Sequence, residues 1–290
     1  MSAAATVAPS RAPAAFRPWR FMRRNPTLTA GLLILAVMAM VALFAPLIAG
    51  DPLLMQPAQR LRPPSAQNWL GTDSLGRDVF ARLVYGARVS LLVGLSVATF
   101  SILIGLTIGL LAGFFRTADA IIMRVMDGLM AIPAILLAIA MVSLTRASIL
   151  VVIIAITIPE IPRVVRLVRS VVLSVREQPF VEAAIAGGAP TWKILLRHIM
   201  PSTFPPLIVQ ATYVCASAIL IEASLSFLGA GTPPEIPTWG NMVASSRLFL
   251  SRAPWTIFAP GLALALVVLA VNLVGDGLRD RLDPRLARRM

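Results

Sequence analysis

Long runs without a charged residue decide what this chain can fold into. Asn25–Gly50, Val89–Phe115, Thr203–Ile221 and Ala253–Gly275 contain no Asp, Glu, Lys or Arg. A hydrocarbon core about 30 Å thick takes roughly 20 apolar residues as helix, so each run is a candidate span. The middle of the chain is less regular. Gly128–Thr145 is free of charge, Arg146 interrupts, and Ala147–Pro159 is clean again. Two helices, at 121–143 and 148–170 with a tight turn at Thr145-Arg146, fit better than one helix burying an arginine at a cost of at least ~2.5 kcal/mol. The expectation is an all-α integral membrane protein with six transmembrane helices.

Composition agrees. Hydrophobic residues make up 58% of the chain and charged ones 13%, where a soluble chain carries about a quarter charged. Mean hydropathy is +0.83. The formal net charge of +13 would suit nucleic acid, but the arginines flank apolar runs and no soluble domain remains to carry a basic face, so no nucleic-acid partner is expected. Cationic residues concentrate on the cytoplasmic side of membrane proteins. With six spans and the N-terminus inside, 18 of the 26 Lys and Arg fall in inside segments. Both termini are therefore expected in the cytoplasm, although Arg60, Arg62, Arg77, Arg82 and Arg88 share one external loop. The expected order is a tail at 1–25, a first span at 26–50, an external loop with an amphipathic segment at 51–87, a five-helix core at 88–278 and a tail at 279–290. A single cysteine, Cys215, and a single histidine, His198, rule out an internal disulfide and a cysteine- or histidine-rich metal cluster.

Smaller features carry two readings each. Gly105, Gly109 and Gly113 share one helix face; small residues so spaced let backbones approach, inside the bundle by preference over a partner subunit. Pro133, Pro159 and Pro162 should kink or break their helices. Trp69, Trp239 and Trp255 fall near span ends, where indoles favour the membrane interface. Glu222, near the outer end of the fifth span, is an ionisable group at depth. It pairs with a solute's amino group, with Arg88 or Arg247, or serves as a structural pair at the helix end. Asp73, Arg77 and Asp78 lie in the external loop, where Asp78, Arg82 and their apolar neighbours read as a short amphipathic helix. That segment caps a pore mouth, meets an external protein, or only covers the loop.

The longest cytoplasmic loop, Ser174–Ser202, reads SVREQPFVEAAIAGGAPTWKILLRHIMPS. Pro179 suits a helix start, Gly187-Gly188 end that helix, and Pro190 prevents its continuation. From Thr191 to Met200 a second pattern places Trp192, Leu195, Leu196 and Ile199 on one face, and Pro201 opens the fifth span. A rigid apolar projection of this kind docks into a groove on another protein or lies on the membrane surface.

The run resembles the EAA loop of ATP-binding-cassette importer permeases at Glu182, Ala183, Ala184, Gly188 and Pro201, with His198 and Met200 where that family has Ile and Leu. Asn68–Gly94, Glu222–Gly229, Pro237–Met242 and the RRNPTLTAGLLIL segment are similar to the C-type permease of dipeptide and oligopeptide importers. The resemblance implies a type I importer permease fold in the bacterial inner membrane. It implies a second homologous permease, two ATPase subunits that bind ATP and Mg, and an extracytoplasmic solute-binding protein as partners. No G-x-x-x-x-G-K-[ST] phosphate loop occurs in the chain, so no cofactor is expected to bind it directly and it is not itself an enzyme. Coupling to the ATPases would fall to Glu182, Ala183, Ala184, Gly188, Trp192, His198 and Pro201, and a pathway or external gate to Glu222, Asp73, Arg77 and Asp78. Dipeptides, oligopeptides, glutathione, opines and nickel chelates all use permeases of this kind. An ion-coupled transporter would show inverted repeats and midplane charges, and a membrane enzyme paired catalytic groups; neither is evident.

Overall fold

The computed structural model describes residues 25–145 and 147–282. Most of the expected N-terminal tail, the far C-terminus and Arg146 of the expected turn lie outside them. Regular structure among the described residues is helical, apart from one isolated bridge between Thr72 and Asp78.

The long helices are α1 (Pro26–Leu43), α2 (Val79–Phe114), α3 (Arg116–Ala131), α4 (Ala134–Ser143) and α5 (Ile149–Val175). Then follow the short α6 (Pro179–Ala186), the long α7 (Thr191–Phe227), the short α8 (Trp239–Ser246) and α9 (Trp255–Leu282). Their starts follow local chemistry. Pro26 occupies the first turn of α1. Asp78 accepts the Phe80 amide at the start of α2, Ser148 the Val151 amide at α5, and Thr238 the Asn241 amide at α8. Each side chain satisfies a helix N–H that has no partner within its own helix.

Four helices, α1, α2, α7 and α9, are long and apolar enough to cross a membrane alone, and the α3–α4 pair is a fifth candidate if counted as one broken span. The chain is a multi-pass membrane protein. The helices share two ends. Trp255 Nε1 donates to the Thr72 carbonyl at 3.4 Å, so α9 starts where α2 starts. Trp239 Nε1 donates to the Leu83 carbonyl at 3.0 Å, and Gly240 abuts Ala223, which brings the end of α7 there too. At the opposite end Arg281 Nε meets Asn25 Oδ1 at 3.1 Å, joining the finish of α9 to the start of α1.

The glycine stripe fixes the centre of the bundle. A Cβ on Gly105, Gly109 or Gly113 would lie 2.5–2.6 Å from Cβ of Val164, Val168 or Val172. The pairs advance in the same order, so α2 and α5 run parallel with backbones in close approach. The stripe is internal packing. Val97, Val152, Ile156, Val164, Val168, Leu207 and Val214 are buried in the same apolar core.

Several expectations need correction. The expected amphipathic segment before Val89 is continuous with α2, which begins at Val79. The charge of Arg82 that argued for a separate surface helix is buried and lies 3.9 Å from Asp73. The span at 121–143 is two helices bent by 84° at Ile132-Pro133, where the residue before proline is extended. Pro159 and Pro162, by contrast, stay inside an unbroken α5. Both are buried, and packing against neighbouring helices holds a helix across the missing donors. Trp239 is no interface anchor, being 1% exposed.

Candidate functional site

The segment after α5 is built as a rigid corner. Arg176 caps α5 and donates Nη1 to the Gly113 carbonyl at 3.2 Å, tying the loop to the last turn of α2. α6 then starts with Pro179 in its first turn and Glu182 beside it, where an acid complements the helix dipole. It ends on Gly188 at φ +73. The Gly188 amide donates to the Ile185 carbonyl at 2.9 Å and the Ala189 amide to the Ala184 carbonyl at 3.1 Å. This pair of bonds is a Schellman closure, which requires a left-handed residue.

Past Pro190 the chain enters α7 without a pause. The second loop helix and the fifth span, expected as separate, are one helix carrying a π-helical segment at Ile194–Ile199. Pro201 has no N–H to continue the α-pattern, and its ring crowds the carbonyl four residues back. The wider turn, with Met200 N–H reaching the Leu195 carbonyl, lets the helix pass that point. The π turn also changes which residues face inward. Ile194, Leu195 and Ile199 are buried with Val181 of α6 in the main core, whereas Trp192 is 65% and Leu196 50% exposed. The single apolar face of Trp192, Leu195, Leu196 and Ile199 therefore splits in two. One half anchors the corner. The other half, with Phe180 and Ile185, forms an exposed apolar surface.

The structure thus brings Glu182, Ala183, Ala184, Gly188 and Trp192 together on one projection. Glu182, Ala183, Gly188 and Trp192 are exposed and Ala184 is half-buried. His198 is half-buried and Pro201 exposed farther along α7, beyond the first π turn. The projection sits at the Asn25 end, since it follows Val175 and Arg176 at the finish of α2 and α5.

The external candidates separate. Asp73 and Arg77 form a buried ion pair, with Nε to Oδ2 at 2.7 Å, and Asp73 Oδ1 also accepts the amides of Leu75 and Arg77. Arg82 packs against the same carboxylate, and its Nη1 has no hydrogen-bond partner among the described residues. This buried cluster ties the loop to the start of α2. Asp78 is the cap of α2; burial raises its carboxyl above the ordinary range, against the Phe80 and Ala81 amides, which lower it. Glu222 is fully buried and accepts Ser226 Oγ at 2.9 Å, and its Oε2 has no hydrogen bond within 3.5 Å among the described residues. Neither arginine proposed for it is its partner. Arg247 lies over the Phe227 ring, and Arg88 lines a cavity with Tyr85 and Asp51.

A polar stripe runs along α5, unassigned in sequence. Glu160 is 1% exposed and accepts Arg163 Nη1 at 3.2 Å and Ser217 Oγ at 3.2 Å. Arg166 pairs with Asp127 at 2.6 Å and Arg169 with Asp119 at 2.5 Å. The three-residue steps among Glu160, Arg163, Arg166 and Arg169 were its visible signal.

The comparisons with known proteins agree with this architecture. The family described as "Binding-protein-dependent transport system inner membrane component" matches residues 101–288, and "N-terminal TM domain of oligopeptide transport permease C" matches residues 17–64. The chain is 62% identical to a protein named "Probable peptide ABC transporter permease protein y4tQ" from Sinorhizobium fredii, over 93% of each chain. It is 44% identical to "Dipeptide transport system permease protein DppC" from Alkalihalophilus pseudofirmus, over 94% of this chain and 91% of that protein. In fold it is similar to a chain of the MetNI methionine ABC transporter in an inward-facing crystal form. That match has a TM-score of 0.58 at 21% identity and covers 70% of this chain and 97% of the other. The chain belongs to the binding-protein-dependent transport system inner membrane components, as a permease subunit of an ABC importer and not an enzyme.

Proposed function

We propose that this permease forms half of the translocation pathway of an ATP-driven importer of dipeptides or oligopeptides. It pairs with a second, homologous permease, takes solute from an extracytoplasmic binding protein, and is moved by two ATPase subunits that bind ATP and Mg. The observation that carries the reading is the α6–Gly188–Trp192 corner. It is exposed and apolar on one side, and rooted in the core through Val181, Ile194, Leu195 and Ile199 on the other.

In this reading Glu182, Ala183, Ala184, Gly188 and Trp192 seat in a groove on the ATPase. His198 and Pro201 lie where the corner passes its motion into α7. The Asn25 end is cytoplasmic, with both termini. Six crossings account for the helix directions: α1 and α7 run toward the Trp255 end, α2, α5 and α9 run away from it, and α3–α4 make the return between α2 and α5. Peptide as the solute is supported by the names of the relatives, two of which are a peptide and a dipeptide permease.

Reconstitution tests it. Proteoliposomes holding both permeases and both ATPases, supplied with the binding protein, should accumulate a labelled dipeptide or tripeptide only with ATP. Uptake driven by an ion gradient without ATP, or ATP-dependent uptake of non-peptide solutes alone, would contradict it.

A further inference from the structure

We propose that the open stripe of α5 lines the water-filled peptide path and that Arg163 receives the peptide's terminal carboxylate; this rests on the importer reading above. α5 is packed on three sides. Val164, Val168 and Val172 face the α2 glycines, Val152 shares a core with Ala138 and Val142 of α4, and Glu160 bonds Ser217 of α7. What stays exposed along its later half is Arg163, Arg166, Ser170 and Ser174.

That stripe lies within the depth of the bilayer. On α2 the exposed apolar residues run from Leu92 to Leu111, a rise of ~29 Å at 1.5 Å per residue, close to the hydrocarbon thickness. The parallel register, Gly105 on Val164, puts Arg163 level with Ile104, inside that band. An arginine at this level does not face lipid without a large cost, and its side chain is 41% exposed. It faces water or a partner.

The hydrogen bonds single out Arg163 from its neighbours. Arg169 is engaged through both Nε and Nη2 by Asp119, so its fork is taken. Arg166 gives Nη2 to Asp127. Arg163 gives only Nη1 to Glu160, at 3.2 and 3.4 Å to the two oxygens. Its Nε and Nη2, the parallel pair that holds a carboxylate through two bonds, point to no acceptor among the described residues. Glu160, buried and further held by Ser217, fixes the guanidinium from behind. A peptide is the solute proposed above, and its terminal carboxylate is the complement of that fork.

The test uses the assembled transporter in proteoliposomes. Arg163→Gln should lower uptake of a free-acid dipeptide roughly ten-fold or more, the worth of a charge-assisted pair of hydrogen bonds, with Arg163→Lys recovering part. ATP hydrolysis and copurification of both permeases should be kept. In a Cys215→Ala background, Arg163→Cys should react with a water-soluble, charged thiol reagent. Three results overturn the inference: unchanged uptake in Arg163→Gln; loss of the second permease from the complex, which would make Arg163 an interface residue; or an unreactive thiol at position 163. Failure of the unaltered transporter to import peptide is a different outcome and overturns the importer reading itself.

Discussion

The Ala189 amide donates to the Ala184 carbonyl at 3.1 Å across the left-handed Gly188, and with the Gly188–Ile185 bond it closes the corner between α6 and α7. The closing element is backbone, not side chain. Open space surrounds the position where a Gly188 Cβ would stand, so only conformation opposes substitution there.

Replacing Gly188 should therefore cost about 1–2 kcal/mol in the corner for a residue that resists the left-handed region. Uptake should fall in the order Gly, Asn, Ala, Val, because Asn tolerates that region best among the replacements. The check is transport against membrane yield, with yield staying level across the series.

The glycine stripe should behave in the opposite way. Gly109→Val drives side-chain atoms into Val168 in the middle of the close α2–α5 contact. Overpacking of this kind costs about 1–3 kcal/mol, so the recovery of folded protein after detergent extraction should drop. Val168→Ala should restore part of it in the double variant.

Trp192 is exposed and contributes little to the fold of the isolated chain. Trp192→Ala should shift stability by no more than about 0.5 kcal/mol yet weaken retention of the ATPase subunits during purification. Thermal unfolding and subunit stoichiometry measured on one preparation separate the two effects.

The sequence made some of this visible and hid the rest for physical reasons. Four-residue spacing exposed the Gly105–Gly109–Gly113 face, and a close backbone contact followed from it, but nothing local named Val164, Val168 and Val172 as the neighbours. Pro133 announced a break but not its 84° angle. Arg82 argued for a surface helix because its charge is visible in sequence and its burial beside Asp73 is not. The face assigned to Trp192, Leu195, Leu196 and Ile199 assumed 3.6 residues per turn, and the π turn before Pro201 broke that period. Glu182, Ala183, Ala184 and Gly188 were legible because helix start, helix stop and closure are all encoded within a few residues.

The external cluster gives a further prediction. Asp73→Ala leaves Arg77 and Arg82 buried without their carboxylate, and breaking a buried pair costs about 3–5 kcal/mol. The loop before Val79 should become open to added protease. ATPase copurification should be unaffected, since the damage lies at the other end of the bundle.

In the importer proposed here, the α6 corner plugs into the ATPase on the cytoplasmic side. The most direct measurement is a photo-crosslinking residue at Ala183, which is exposed on that corner, in the assembled transporter in native membranes. An adduct with an ATPase subunit is expected, together with protection of this site from a membrane-impermeant reagent added outside the cell. An adduct with lipid or the solute-binding protein, or labelling from outside, would contradict it.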